Sequence, residues 1–244
     1  MTEPAPRKSD LGVRVASAVV MVAVAGVALW LGGWLFAAFV GLIAAGVLWE
    51  WGKLAFGITT SLGGRVVWLV GGLAYVAIAG LTLIVLRLGG PAIALQFLAM
   101  VVAVDIGAYF AGRTIGGPKI APRISPSKTW AGLGGGIVAA ALAHAAIIPW
   151  TYPGIDNMSS WAIAAFSLVL GLVVAVIAQA GDFFESWMKR RAGVKDSGAL
   201  IPGHGGLFDR VDGLMAVLFV FGLIMGGLLT AHIAAGGELL PTPA

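Results

Sequence analysis

Apolar runs long enough to cross a bilayer follow one another almost without interruption from residue 15 to residue 231. A helical crossing needs roughly 20 apolar residues, with about 17–25 as the range. Runs of that kind lie at about 15–31, 34–50, 66–86, 91–111, 131–149, 160–180 and 209–231. Unpaired backbone groups in hydrocarbon cost several kcal/mol each, so only helices and closed barrels span a membrane. The strand-like alternation of a barrel is missing. The expected fold is therefore all-α, a polytopic integral membrane helix bundle of about seven to nine transmembrane helices.

The composition agrees: 59% of the residues are hydrophobic, against roughly 45–50% in soluble domains. There is no Cys, which excludes a disulfide framework, a thiolate nucleophile and a thiolate metal site. The net charge is only +4, and the basic residues sit in short loops between apolar runs, which argues against nucleic acid as a partner. The opening "MTEPAPRKSDLGVR" is polar. The long apolar run after it is soon followed by another, as for a first transmembrane helix rather than a cleaved signal peptide.

With seven crossings and the N-terminus in the cytoplasm, every Lys and Arg except Arg87 falls on the cytoplasmic side, as the positive-inside rule requires. The expected organisation is a cytoplasmic segment at 1–14 and N-terminal transmembrane helices at 15–111. A catalytic transmembrane region follows at 112–236, with cytoplasmic loops 112–130 and 181–208, and then a tail at 237–244.

Three polar clusters fall on that side. In the first, "DIGAYFAGRTIGG", Asp105 lies inside an apolar run and shares a helix face with Tyr109 and Gly112. A carboxylate at membrane depth normally faces a cavity, a partner or an ion; an ion pair with Arg113 is the simpler alternative. The second, "PKIAPRISPSKTWAG", carries Pro118, Pro122 and Pro126, so an extended loop is expected. Its Lys119, Arg123, Ser125, Ser127, Lys128 and Thr129 can donate to phosphate oxygens, or serve as an ordinary basic loop at lipid headgroups. The third runs from Gln179 to Asp212. "QAGDFFESWMKRR" carries a transmembrane helix out into the cytoplasm, with Gln179, Asp182, Ser186 and Lys189 along one stripe and Glu185 four residues before Lys189. A glycine-rich loop follows, and "FDRVDG" opens the last span with Asp209 and Asp212 on one face. Salt bridges alone would account for any single pair of these charges. Acids without Cys suit a hard cation such as Mg²⁺, and the neighbouring Lys and Arg suit the phosphates it carries. His144 stands alone in an apolar helix, where a packed role outweighs ligation.

These residues resemble the phosphatidate cytidylyltransferase (CDP-diacylglycerol synthase) family. The resemblance rests on Ser186-Trp-Met-Lys189-Arg190, Lys195-Asp196-Ser-Gly198, Ile201-Pro202-Gly-His204-Gly205-Gly206 and Asp209-Arg210-Val-Asp212. Asp105-x-Gly-Ala-Tyr109 with Gly112-Arg113, Ile124-Ser125-Pro126-Ser-Lys128-Thr129-Trp130, and Gln179-x-Gly181-Asp182-x-x-Glu185 resemble further family motifs. Two positions depart from the usual pattern: Ala131 stands where Glu is frequent, and Ile106 where Thr is frequent.

The resemblance implies that CTP and phosphatidic acid become CDP-diacylglycerol and pyrophosphate with Mg²⁺, a second cation such as K⁺ sharing the site. It implies Asp182 and Asp209 as metal ligands, with Asp105 and Asp212 as second choices. Lys195, Asp196 and His204 join Asp182 and Asp209 as catalytic residues. Lys128, Ser125, Thr129, Ser186, Lys189, Arg190, Gly205, Gly206 and Arg210 would bind substrate. It further implies a homodimer in a bacterial cytoplasmic membrane, among membrane lipids, with its active site on the cytoplasmic side. A CTP-dependent polyprenol kinase and a cation transporter are the competing expectations; a transporter would place its acids near the bilayer midplane.

Overall fold

The computed structural model describes residues 11–152, 154–201 and 205–235. Most of the expected segment 1–14, the tail 237–244 and His204 lie outside the described residues. Seven helices account for nearly all of the rest: α1 (Leu11–Leu31), α2 (Gly33–Ile58), α3 (Leu62–Leu88), α4 (Pro91–Thr114), α5 (Trp130–Thr151), α6 (Ser160–Ala192) and α7 (Phe208–Ala234). Each expected run lies within one of them. Six, α2 to α7, are long and apolar enough to cross a membrane, while the apolar stretch Val15–Leu31 of α1 is shorter.

The segment between α4 and α5 corrects the sequence reading. It is not a plain extended loop but a small antiparallel hairpin, β1 (Lys119–Ala121) and β2 (Ser125–Thr129), with Lys119 opposite Thr129 and Ala121 opposite Ser125. Proline excludes helix here but is tolerated in a two-stranded ladder, where both strands are edges. Thr129 then caps α5, its Oγ1 accepting the Gly132 N–H at 3.0 Å.

Local chemistry fixes the helix ends. Only Gly32, at φ +66°, separates α1 from α2. A Cβ there would strike the guanidinium of Arg87, which donates from Nε to Leu29 O at 2.6 Å and from Nη2 to Trp30 O at 3.1 Å. Arg87 is the one basic residue that breaks the charge asymmetry, and it is spent on the last carbonyls of α1.

Small residues let the helices approach closely, as membrane packing requires where no hydrophobic driving force exists between helices. Gly107 of α4 lies against the Gly135 carbonyl of α5, and Gly181 of α6 against the Asp212 carbonyl of α7. An aromatic block of Trp51, Trp68, Tyr75, Phe184, Trp187, Phe208 and Phe219 joins α2, α3, α6 and α7, with Trp51 5.7 Å from both Tyr75 and Phe208 between ring centres. Helix α6 has 33 residues, about 50 Å of helix, well beyond a hydrocarbon core of about 30 Å. Its last turns, Asp182 to Ala192, are the polar ones, so the excess length carries charge past the apolar layer.

Candidate active site

The polar ends of α4, α6 and α7 enclose a chamber of about 490 Å³. Asp105 enters from α4, Asp182, Glu185 and Lys189 from α6, Asp209, Arg210 and Asp212 from α7, and Asp196 from the loop between α6 and α7. An adjoining space of about 370 Å³ lies between α4, α6 and the hairpin, and Asp105, Tyr109, Arg113, Lys128, Thr129 and Gln179 line it. Asp105 borders both.

On the hairpin side, the Lys128 ammonium pairs with Asp182 Oδ2. The other Asp182 oxygen accepts from Ser186 at 3.4 Å, a weak bond at the edge of the useful range. The Asp182 carboxylate remains 28% exposed. Asp212 accepts the Gly213 N–H at 2.8 Å and lies within Coulomb range of Asp182 and Asp105. Asp105 in turn feels Lys128, Asp182 and Arg210, while Arg113 donates to Tyr109 at 2.8 Å instead of pairing with Asp105. Gln179 is buried, and neither end of its amide has a hydrogen-bond partner among the described residues.

On the loop side the bonding is dense. Lys189 bridges Glu185 and Asp209, 2.6 Å from each. The i, i+4 pairing of Glu185 with Lys189 was legible in the sequence; the reach to Asp209 was not. Asp209 Oδ2 accepts from the Ser197 N–H and the Gly206 N–H, each at 3.0 Å, and stands 3.0 Å from the Ser197 hydroxyl, whose one proton it shares with Glu50. Its side chain is only 8% exposed. Helix α6 ends at Gly193, φ +73°, where Val194 N–H returns to Lys189 O at 3.0 Å, a Schellman closure. Ile201 N–H bonds Gly205 O at 3.0 Å and folds the loop back toward α7.

Glu50 of α2 is a residue the sequence reading missed. It is fully buried, accepts the Leu207 N–H at 3.0 Å and the Phe208 N–H at 2.8 Å, and takes the Ser197 hydroxyl at 2.9 Å. The signal was available: a single acid between Trp49 and Trp51 in an apolar run is as anomalous as Asp105.

Most of the expected site residues thus gather in one place. Asp105, Asp182, Lys189, Asp196, Asp209, Arg210 and Asp212 line the larger chamber, and Lys128 and Thr129 the smaller. Lys195 and Arg190 are exposed and line neither. Ser125 is buried in the hairpin, and Gly206 spends its N–H on Asp209. Gly205 closes the bond to Ile201. His144 is fully buried in α5, its Nδ1 2.7 Å from Ser167 Oγ.

The donors of the chamber are carboxylate oxygens, with neither thiolate nor imidazole among its described residues, which suits a hard cation. Among the described residues, no three His, Cys, Asp or Glu side chains close on a common point as a preformed cage. Mg²⁺ ordinarily takes only one or two carboxylates and completes its shell with water and substrate phosphates, so the donor set fits that ion.

Fold and chamber together define an integral membrane protein with a densely charged site at the ends of its helices. Residues 59–227 match the cytidylyltransferase family, and the chain belongs to it. A phosphatidate cytidylyltransferase of Rickettsia bellii is 36% identical over 226 residues, covering 90% of this chain and 93% of that protein. One from Brucella suis is 44% identical over 164 residues, 64% of this chain and 57% of that protein. One from Haemophilus influenzae is 41% identical over 125 residues, 50% of this chain and 41% of that protein. The chain thus spans little more than half the length of its Brucella relative.

Proposed function

We propose that this protein is a phosphatidate cytidylyltransferase that converts CTP and phosphatidic acid into CDP-diacylglycerol and pyrophosphate. One observation carries the reading. A chamber lined by six acidic residues together with Lys189 and Arg210 stands at the polar end of an apolar bundle, where a lipid phosphate and a nucleoside triphosphate can meet. The family membership and the names of the relatives support it.

The lipid phosphate is itself the nucleophile at the α-phosphorus of CTP, and pyrophosphate leaves. No covalent enzyme intermediate is required, so the protein contributes positioning and charge neutralisation. Lys128, Lys189 and Arg210 would neutralise phosphate oxygens, and the buried, unpartnered amide of Gln179 would meet the nucleotide from the smaller space. Asp182 and Asp209 would hold the metal, Asp182 through its exposed carboxylate and Asp209 through Oδ1, the oxygen left with fewer donors. Asp105 and Asp212 would stand beside them. Mg²⁺, when bound, would draw negative charge off the phosphates and help align them; a second cation such as K⁺ has the surplus carboxylates to receive it.

We place the site on the cytoplasmic side, since with seven crossings every Lys and Arg except Arg87 falls on the same side as the helix ends that form it. In this reading α1 is a seventh crossing, residues 112–236 are the catalytic region and the protein works as a homodimer in a bacterial cytoplasmic membrane.

Incubation with phosphatidic acid, Mg²⁺ and CTP labelled at the α- or the γ-phosphate tests the reading. The α label is expected in the lipid product and the γ label in pyrophosphate. Transfer of the γ label to lipid, or CTP-independent cation flux in liposomes without lipid product, would overturn it.

A further inference from the structure

We propose that Glu50, on a helix outside the family match, is the positioning residue that fixes Asp209 and the loop before α7 for the cytidylyl transfer; this rests on the function proposed above. Among the described residues helix α7 has no local side-chain cap: Leu207 occupies the cap position, and its apolar side chain makes no capping bond. Two donors at the helix start, the N–H of the cap residue Leu207 and of the first helical residue Phe208, are taken by the Glu50 carboxylate from α2, at 3.0 and 2.8 Å. A capping residue normally lies beside its helix in sequence. This one is 158 positions away from Phe208 and lies before residue 59, where the family match begins.

The same carboxylate reaches Asp209 through one side chain. Ser197 Oγ is 2.9 Å from Glu50 Oε2 and 3.0 Å from Asp209 Oδ2. Glu50 therefore holds the loop at Ser197 and the helix start at Leu207 and Phe208, and Asp209 is the next residue along. The space is filled to contact. A Cβ on Gly198 would strike the Glu50 carboxylate, and one on Gly206 would strike Ser197 Oγ, the Gly198 nitrogen and Asp209 Oδ2. Glu50 lines neither polar space and is fully buried, so it acts through Ser197 and the α7 backbone and not on substrate.

Partners one step removed from a ligand typically contribute about 10–100-fold to activity. Glu50→Gln keeps the volume but sets an amide NH₂ against backbone donors. It is expected to lower kcat by about 10–100-fold, with KM for CTP changed by less than about 3-fold, because the phosphate-binding cations stay in place. Ser197→Ala removes the loop's half of the contact without touching α2 and should lower kcat in the same way. The double variant should lose far less than the product of the two single losses.

Amide hydrogen exchange read on the detergent-solubilised protein without substrate separates this proposal from the assigned reaction. Exchange at residues 205–210 should accelerate at least about 10-fold in Glu50→Gln, with α4 and α5 unchanged. If the wild-type protein makes no CDP-diacylglycerol, the function falls and the exchange result still decides the role of Glu50. Unchanged exchange at 205–210, unchanged kcat, or multiplicative losses in the double variant would each overturn it. Should Glu50→Gln fail to fold, Ser197→Ala with wild-type kcat and exchange would overturn it equally.

Discussion

The chamber has two unlike walls. On the hairpin wall, Asp182 is 28% exposed and is held by one lysine and one long hydrogen bond. On the loop wall, Asp209 is 8% exposed and is held by Lys189, two backbone N–H groups and a hydroxyl. Two carboxylates assigned the same chemistry therefore have different mechanical status. A carboxylate has about four lone-pair sites; the protein uses nearly all of them on Asp209 and leaves room on Asp182. The loop wall is nearly saturated, with Asp209 Oδ1 its remaining open oxygen, and the hairpin wall is where a ligand can add the most bonds.

Replacing each acid by its amide separates activity from stability and gives the largest expected effects. Asp182→Asn should reduce turnover on the order of 1000-fold, the upper range for one well-placed electrostatic partner. Its unfolding midpoint in detergent should barely move, because the side chain has few protein partners and sheds repulsion from Asp105 and Asp212. Asp209→Asn should reduce turnover as much and also destabilise the protein by about 1–3 kcal/mol, since it leaves the half-buried Lys189 and the donors to Oδ2 poorly matched. Equal midpoints for the two variants would erase the difference between the walls.

Backbone clearance provides the next contrast. A Cβ on Gly206 would collide with three atoms of the loop wall, whereas one on Gly112 would press on Thr129 Oγ1, at 3.1 Å, and make ordinary contact with Gly132 Cα, at 3.7 Å, beside the hairpin. Gly206→Ala should therefore lower kcat by about 100-fold, the scale of a misplacement of about 1 Å. Gly112→Ala should lower it by less than about 5-fold, a shift of a few tenths of an ångström being tolerable at a side-chain hydroxyl. Comparable losses would mean that the hairpin wall is as rigid as the loop wall.

The same contrast explains what was legible in the sequence. The hydrocarbon constraint leaves helix as the only choice, so all seven runs were found; the helices outrun them most at the C-terminal ends of α2, by eight residues to Ile58, and of α6, by twelve to Ala192. The charges of the site were conspicuous because apolar surroundings make each one anomalous: Asp105, Asp182, Asp209 and Asp212 could all be picked out. Their bonding could not. That Lys128 reaches Asp182, or that Lys189 spans Glu185 and Asp209, depends on which helices become neighbours, and one sequence contains no such pairing. The hairpin was hidden because prolines report what is excluded and not what replaces it. Glu50 went unread because its partners are backbone groups far along the chain, although its isolation among tryptophans was as plain as that of Asp105.

The smallest expected effect lies at Ala131, in the first turn of α5 on the hairpin wall, one of the two positions where the sequence departs from the family pattern it resembles. Helix α5 has no acid in its first turn; its N-terminal N–H groups are met by neutral acceptors, the Thr129 hydroxyl at Gly132 and the Pro118 carbonyl at Trp130. Ala131→Glu would add a favourable charge–dipole interaction of about 0.3–1 kcal/mol. Against this, it would add one more negative charge near Asp105 and Asp182, which already repel one another across the chamber. Both effects act on the folded protein, so they oppose each other in stability as well as in ligand binding. The unfolding midpoint should therefore barely move while kcat/KM for CTP changes by less than about 3-fold, a shift under about 0.7 kcal/mol. A gain of ten-fold or more would mean that the acid takes part in the reaction at this wall, and that the hairpin side lacks a functional group as this chain stands. Complete loss would mean that Asp182 and Asp105 are already at the limit of charge the hairpin wall can hold.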